Sequence, residues 1–177
     1  MKKSSRGFSL IELLIVVAII LIIAAIAIPN LLRSRIAANQ ASAVGSLRTL
    51  NTAEVTYATT YNTGYSATLG DLGPAAAGTN IPNATAAGLV DEVLSGMNGS
   101  GGTTGSTATV SAKSGYMFYY SPGTPVGTTN MINTYQLQAS PLSVGTTGTN
   151  FYYTDQSGVI RQNSTAMAGS SDSPLAG

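Results

Sequence analysis

The feature that most constrains this chain is an apolar run near its N-terminus. Residues 13–28 are sixteen consecutive apolar residues, and extending the run back to Phe8 adds only Ser9 and Glu12 as interruptions. As a helix that rises about 1.5 Å per residue, residues 8–28 extend about 30 Å, the thickness of the hydrocarbon core of a bilayer. Because such a helix is apolar on every face, it has to be buried in lipid or among other helices.

Glu12 is the exception within this run. A carboxylate at the centre of a bilayer helix costs about 2.5–3.5 kcal/mol on insertion scales, and less near the helix end. The acid therefore predicts a cationic partner. Three basic residues, Lys2, Lys3 and Arg6, precede the run. The positive-inside rule predicts that this end faces the cytoplasm and that the rest of the chain faces the periplasm or the exterior.

The segment Gly7-Phe8-Ser9-Leu10-Ile11-Glu12 resembles the prepilin leader of the type IV pilin superfamily, which includes the pseudopilins of type II secretion. The resemblance implies that a membrane peptidase removes residues 1–7 by cutting between Gly7 and Phe8, and that the new amine of Phe8 is methylated. Phe8 then carries a cation. We expect the Phe8 amine of a neighbouring copy to pair with Glu12 and so to set the register of assembly.

Two other interpretations of the N-terminus remain open. An ordinary secretory signal peptide also has a basic start, an apolar core and small residues such as Ala25-Ile26-Ala27 at its cleavage site. The early position of Glu12 and the helical pattern beyond Pro29 count against it. An uncleaved anchor is the second interpretation, and each of the two predicts a different mature N-terminus.

The residues after Pro29 predict that the helix continues in amphipathic form. Proline lacks a backbone N–H, so Pro29 predicts a kink or a local break. Beyond it, apolar residues recur at spacings of three, four or seven: Ile36, Ala43, Leu47, Leu50, Ala53, Tyr57 and Tyr61. The pattern predicts one long helix over 8–61, with 8–28 as the membrane or filament core and the second half buried on one face.

The remaining chain predicts a connection and a small sheet. Residues 62–114 are rich in Gly, Thr, Ala, Ser and Asn, and they predict a short helix over 84–94 and a flexible loop over 98–105. Within 115–177, aromatic and β-branched residues predict strands at 116–120, 134–139, 150–154 and 159–161, with a hairpin turn at 155–158 and a flexible tail from residue 163. The predicted fold class is α+β, a long N-terminal helix packed on a small C-terminal antiparallel sheet, as in pilins.

The composition favours a structural protein over an enzyme. The chain has no histidine and no cysteine, so the usual catalytic bases, nucleophiles and metal ligands are missing. A Ser-Lys dyad from Ser111, Lys113 and Ser114 has no further support, and the adjacent acids Asp91 and Glu92 supply too few oxygens for calcium. We predict no catalytic residue, no metal and no cofactor. Three Asn-X-Ser/Thr matches, at Asn83, Asn98 and Asn163, are interpreted as chance matches in solvated loops.

These observations predict the subunit of a homo-oligomeric, type IV pilus-like filament that is held in the inner membrane before assembly. The expected partners are other copies, a prepilin peptidase and the assembly machinery of that membrane. The alternative is the major pseudopilin of a type II secretion system, and a more distant one is an ordinary secreted or membrane-anchored binding protein. Specific nucleic-acid binding is not predicted, because only five basic side chains remain after the leader is removed.

Overall fold

A long helix and a five-stranded sheet dominate the described part of the chain. The computed structural model describes residues 8–75, 81–96 and 109–175. Helix α1 covers Leu10–Tyr61, and α2 (Leu69–Leu72) and α3 (Glu92–Ser95) are single turns. The strands are β1 (Thr109–Lys113), β2 (Tyr116–Pro122), β3 (Tyr135–Pro141), β4 (Phe151–Asp155) and β5 (Arg161–Asn163). The predicted α+β arrangement, a long N-terminal helix with a small antiparallel sheet, is confirmed.

The chain divides into two compact units, residues 1–35 and residues 36–177, with the boundary inside α1. No described residue of the first unit is buried, whereas the second unit contains the whole apolar core. Pro29 lies inside the first unit and does not interrupt α1. The predicted long helix is therefore confirmed without a break, and a kink at Pro29 stays a prediction.

The five strands form one antiparallel sheet in sequence order, β1-β2-β3-β4-β5. The strands predicted at 116–120, 134–139 and 150–154 are confirmed within about two residues. The strand predicted at 159–161 lies at Arg161–Asn163 instead. The carbonyl of Ile160 accepts a hydrogen bond from the backbone N–H of Leu175 at 2.8 Å, and pairing with β4 begins only where Arg161 lies opposite Tyr153.

Strand β1 is absent from the sequence-based prediction, which placed residues 109–113 in the connection. Its residues, Thr-Val-Ser-Ala-Lys, give a weak β signal beside a Gly- and Thr-rich segment. Pairing with β2 decides the outcome, because Thr109 lies opposite Tyr120 and Lys113 opposite Tyr116. The two-residue turn between these strands consists of Ser114 and Gly115, with φ angles of 50° and 75°. Two successive positive φ angles are typical of the tight turns that join antiparallel strands.

The helix predicted over 84–94 is wrong except for its last residues. Only Glu92–Ser95 is helical, and Asn83 and Ala86 instead close a small turn through reciprocal backbone bonds of 3.2 and 3.0 Å. The backbone N–H groups of Ala87 and Leu89 donate to Asp71 and Leu72, each at 2.8 Å. Since these donors bind another segment, they are not available for a helix of their own.

The core of the second unit lies between one face of α1 and one face of the sheet. Buried residues of α1 recur every three or four positions, and the predicted stripe is confirmed at Ala43, Leu47, Leu50, Ala53 and Tyr57. On the sheet, burial alternates along β2 and β3, which places Tyr116, Phe118, Tyr120, Tyr135, Leu137 and Ala139 on the core face. All of these residues belong to one apolar cluster. The sheet therefore depends on α1 for the cover of its apolar face.

Polar side chains of α1 also bind the segments around the sheet. Asn51 donates to the hydroxyl of Thr154 at 2.9 Å and accepts from the hydroxyl of Tyr135 at 3.0 Å. Asn39 donates to the carbonyl of Thr147 in the loop between β3 and β4, at 2.8 Å. These bonds link the helix to three separate parts of the sheet region, and each uses a side chain that the apolar pattern alone does not identify.

The C-terminal residues 163–175 fold back onto the sheet edge, although their small, polar composition predicts a flexible tail. The backbone N–H of Gln162 donates to the carbonyl of Ser173 at 3.0 Å. Asp172 accepts from the side chain of Asn163 at 3.0 Å and from the backbone N–H of Gly169 at 2.8 Å. Ala168 is fully buried. Paired backbone groups and one buried residue, rather than composition, hold this segment in place.

Candidate functional site

The predicted site residues lie at the start of α1. Gly7 and the rest of the leader, residues 1–7, lie outside the described residues. Phe8 is exposed, and the helix begins at Leu10. The carbonyl of Ser9 accepts the first helical hydrogen bond, from Leu13 at 3.2 Å, and the backbone N–H of Ser9 donates to the Glu12 carboxylate at 2.9 Å. Ser9 and Glu12 therefore occupy the N-cap position and the third helical position.

This contact gives Glu12 a local role that the sequence analysis missed. A carboxylate at the third helical position that accepts from the N-cap N–H is one half of a capping box, and the signal for it, Ser9-X-X-Glu12 before an apolar run, is present in the sequence. The positive end of the helix dipole also favours an acid in the first turn. Among the described residues, Oε2 of Glu12 accepts from Ser9 and Oε1 has no partner, so half of the carboxylate remains open to a further donor.

The apolar side chains that follow Glu12 are exposed. Between Leu13 and Leu32 every Leu, Ile and Val side chain has about half or more of its surface accessible, for example 63% at Leu21 and 57% at Ile28. α1 is long and apolar enough to cross a membrane, and the most apolar window is not buried by any other part of the described chain. A surface of this kind needs lipid or protein to cover it.

The residues considered for other chemistry are placed apart from this segment. Lys113 forms an ion pair with Asp91 at 2.6 Å, and Asp91 also caps α3 by accepting from the backbone N–H of Leu94 at 2.7 Å. Partial burial alone would raise the pKa of Asp91, but the bonds from Lys113 and from the α3 backbone lower that pKa overall. Within the described residues no cluster of three potential metal ligands occurs. The Lys113 ammonium thus binds Asp91 rather than a serine.

Two of the three Asn-X-Ser/Thr segments are described, and both fold as local turns. The side-chain oxygen of Asn83 accepts from the backbone and hydroxyl of Thr85 at 2.9 and 2.8 Å. Asn163 makes the same pair of bonds with Thr165, both at 2.9 Å, and its amide also binds Asp172. Asn98 lies outside the described residues. These asparagines shape the backbone.

A buried acid in the second unit is the other polar group that the sequence analysis did not single out. Glu54 is fully buried, and its carboxylate accepts from the hydroxyl of Ser66 at 2.6 Å and from the Ser66 backbone N–H at 2.9 Å. Tyr120 donates to the carbonyl of Ser66 at 2.7 Å. Burial raises the pKa of Glu54, and the bonds from Ser66 oppose this rise. Its spacing from Leu50 and Tyr57 on the apolar stripe was the available signal.

Comparison with known proteins finds similarity in the N-terminal segment. A family model described as the prokaryotic N-terminal methylation motif matches residues 2–28. The type IV major pilin protein PilA of Myxococcus xanthus is 51% identical over 53 residues, which are 30% of this chain and 24% of that protein. The type IV wide pilus major component PilA4 of Thermus thermophilus is 62% identical over 37 residues, 21% of this chain and 28% of that protein.

The chain therefore spans about a quarter of the length of these two relatives. No solved structure gives a significant match. The residues matched by the family model include the start of α1 and much of its exposed apolar surface.

Proposed function

Because residues 2–28 match the prokaryotic N-terminal methylation motif and the chain is similar to two type IV pilus proteins, we propose that this chain is the structural subunit of a type IV pilus-like filament. The observation that carries the proposal is the exposed apolar surface of α1, which no other part of the described chain covers. Both relatives are described as pilus components, which supports the proposal.

The apolar segment explains how one chain is first stored and then assembled. In the inner membrane, lipid covers the segment, with Lys2, Lys3 and Arg6 on the cytoplasmic side and the second unit in the periplasm. In the filament, the same segments of neighbouring copies cover one another. Lipid tails and apolar side chains are similar environments, so the transfer from membrane to filament exposes little apolar surface to water. Alanines 18, 24, 25 and 27 allow close helix approach.

Removal of the leader supplies the cation that pairs with Glu12. The prepilin peptidase cuts between Gly7 and Phe8 and methylates the Phe8 amine, which gives each mature chain a cation beside the start of α1. In a filament, Glu12 lies among apolar helices, where an unpaired charge is costly. The free oxygen of Glu12 then accepts the Phe8 amine of the next copy, while Ser9 continues to occupy the other oxygen.

The pairing selects position more than it adds stability. At an effective dielectric constant of about 20 and a separation of about 4 Å, the attraction is about 4 kcal/mol, and desolvation of both ions offsets much of it. A copy displaced along the filament leaves both charges buried without partners. Only the stagger that joins Phe8 to Glu12 avoids this cost, so the pair fixes the register between copies.

Substitution of Glu12 tests the proposal. We expect Glu12→Ala and Glu12→Gln to be cut after Gly7 and to reside in the membrane, but to yield few filaments, because neither side chain attracts the amine. The measurement is the ratio of sheared filaments to membrane-held subunit, with the mature N-terminus identified by intact mass. Wild-type filament yield from Glu12→Ala would remove charge pairing from the mechanism. A mature chain that starts at Met1 or Ile28 would exclude prepilin processing.

A further inference from the structure

The outward face of α1 in the second unit carries threonines whose hydroxyl donors are already used. Thr49, Thr52, Thr56 and Thr59 are exposed, and each donates to the backbone carbonyl four residues earlier, at 3.1, 3.0, 2.8 and 3.0 Å. A hydroxyl has one proton to donate, so another protein can cover this face without leaving a donor unpaired. The face is polar in composition, yet covering it does not incur the free-energy cost of burying unpaired hydroxyl donors.

The same face forms one side of an open groove of about 400 Å³. The groove is lined by Arg48, Thr49, Thr52, Ala53 and Thr56 of α1 and by Leu89 of the connection. Val55, close by on the helix, has 54% of its surface exposed. Arg48 is the only charged residue of the lining, and its guanidinium has no ion pair or hydrogen bond with any described residue. The groove thus combines apolar contact area with one unpaired cation.

The charges of the chain divide between α1 and the rest. α1 carries three arginines, Arg33, Arg35 and Arg48, whereas Glu54, one of its two acids, is fully buried. Beyond α1 the chain carries five acids against two bases, namely Asp71, Asp91, Glu92, Asp155 and Asp172 against Lys113 and Arg161. Lys113 is already paired with Asp91. The helix of one copy is therefore complementary in charge to the acidic remainder of another.

We propose that the α1 face formed by residues 48–59 is a contact surface between copies, and that it receives the acidic region beyond α1 of a second copy, with Arg48 binding one of its carboxylates. The two patches differ, so the contact is heterologous and repeats from copy to copy, as a filament requires. This inference rests on the proposed filament function. It adds to the Phe8–Glu12 pair a second contact that involves only the second unit of each copy.

Thiol labelling tests the buried position of this face in the filament. The chain has no cysteine, so Thr52→Cys introduces one thiol on the face and Thr128→Cys introduces one on an exposed loop between β2 and β3. Each variant is labelled with a small maleimide, as detergent-released subunit and as sheared filament. We expect the thiol at position 52 to react at least about tenfold more slowly in filaments than in subunits, with a smaller change at position 128.

The outcomes separate this inference from the function on which it rests. Filaments in which position 52 is protected no more than position 128 overturn the inference and leave the proposed function intact. Absence of filaments from the unsubstituted chain overturns the proposed function, and the inference with it.

Carbodiimide coupling tests the acidic partner. Arg48→Lys places an amine in the groove, and after leader removal Lys113 is the only other lysine. Carbodiimide joins an amine to a carboxylate in contact with it. We expect filaments of Arg48→Lys to give a cross-linked dimer in which position 48 is joined to an Asp or Glu beyond α1, and Arg48→Gln filaments to lack that product. Coupling of position 48 within one chain only, or a dimer of equal yield from Arg48→Gln, would overturn the inference.

Discussion

The two halves of α1 belong to one helix, but only the second half has residues that are buried by the rest of the chain. Over residues 13–28 apolar side chains cover every face, and none of residues 10–35 is buried. In residues 36–61 apolar residues form a single stripe, and Leu47 and Leu50 are completely buried against the sheet region. Both halves are nevertheless parts of one uninterrupted helix.

The difference shows that the apolar surface of a helix can be covered either by other residues of its own chain or by other molecules. The second half contributes its apolar stripe to the fold of one molecule. The first half contributes nothing buried to that fold, and its surface is available to lipid or to other copies. Under the proposed function, stability of the single chain and assembly of many chains depend on different halves, and substitutions in the two halves should have separable effects.

Cutting within α1 should give the largest effects. A fragment that starts at residue 62 loses the stripe of Leu47, Leu50 and Tyr57, each worth about 1.5–3 kcal/mol of burial, and a typical domain has only about 5–15 kcal/mol of stability. We expect it to be unfolded by circular dichroism. Deleting residues 1–32 should instead leave a soluble monomer with a cooperative urea transition. An unfolded 33–177 fragment would show that the first half supports the fold.

A smaller effect is expected from truncating one side chain of the stripe. In the 33–177 fragment, Leu50→Ala should lower the free energy of unfolding by about 2–5 kcal/mol, because the residue is fully buried and its neighbours cannot fill the space. The matched control is Val55→Ala on the exposed face, with an expected change within about 0.5 kcal/mol. Urea denaturation measures both. Equal losses would mean that the two faces of this half are not distinct.

The buried Glu54 predicts a dependence of stability on pH. Burial raises the pKa of Glu54, so the folded chain holds this proton more tightly than the unfolded chain does. Its contribution to stability is fully present below the unfolded pKa and is lost as the pH rises through the folded pKa. We expect the free energy of unfolding of the 33–177 fragment to fall with pH above the ordinary glutamate range, and Glu54→Gln to remove that fall.

The comparison with Glu54→Gln isolates this group from the other acids. The pKa values of Asp91 and Asp155 are lowered, although partial burial opposes this, by Lys113 and the α3 backbone at Asp91 and by Ser157 at Asp155. These two acids lose their contributions as the pH falls, at pH values below the Glu54 range. An unchanged pH profile in Glu54→Gln would mean that Glu54 titrates normally in the fold.

The smallest effect concerns Gly45, on the exposed side of the second half. A Cβ added there has no heavy atom within 4 Å, and the residue lies inside α1. Gly45→Ala should therefore raise the free energy of unfolding of the 33–177 fragment by about 0.5–1 kcal/mol, because alanine loses less conformational entropy in a helix. Thermal or urea denaturation resolves such a change. A loss of stability would indicate that the space is filled by residues outside the described ranges.

Local patterns were sufficient to predict the parts of the fold with strong periodicity. The apolar run and the stripe of α1 predicted one helix and its buried face, and aromatic residues predicted β2, β3 and β4. The hairpin turn at 155–158 is confirmed by the bond from the Gly158 N–H to the Asp155 carbonyl, at 2.9 Å. At these positions local preference and tertiary packing agree.

Elements whose local sequence signal is weak, and which depend on pairing with another segment, were missed. β1 exists because β2 pairs with it, and residues 87–90 bind the segment around α2 instead of forming a helix. The contacts of Asp172 with Asn163 and Gly169 hold the C-terminal residues that composition predicted to be flexible. In each case hydrogen bonds to a partner residue outweigh a weak local signal.

The candidate site at Gly7, Phe8 and Glu12 was predicted from its resemblance to a leader motif. The contact between Ser9 and Glu12 could have been predicted from the sequence but was not. Ser9 and Glu12 have the spacing of a capping box, a signal that is read from the sequence alone. The groove beside Arg48 was not predictable, because Leu89 reaches it only through the bonds that hold residues 87–90 against α2.

The return of residues 173–175 along β5 limits which polymers this chain can form. β5 is the last strand of the sheet, and an open last strand presents unpaired N–H and C=O groups to the sheet of any neighbouring molecule. Here Gln162 and Ile160 direct these groups to Ser173 and Leu175 of the same chain. Copies of the chain that lie side by side therefore find no free strand to extend at this edge. Strand-to-strand association between copies is therefore blocked at the β5 edge, and it does not compete there with association through α1.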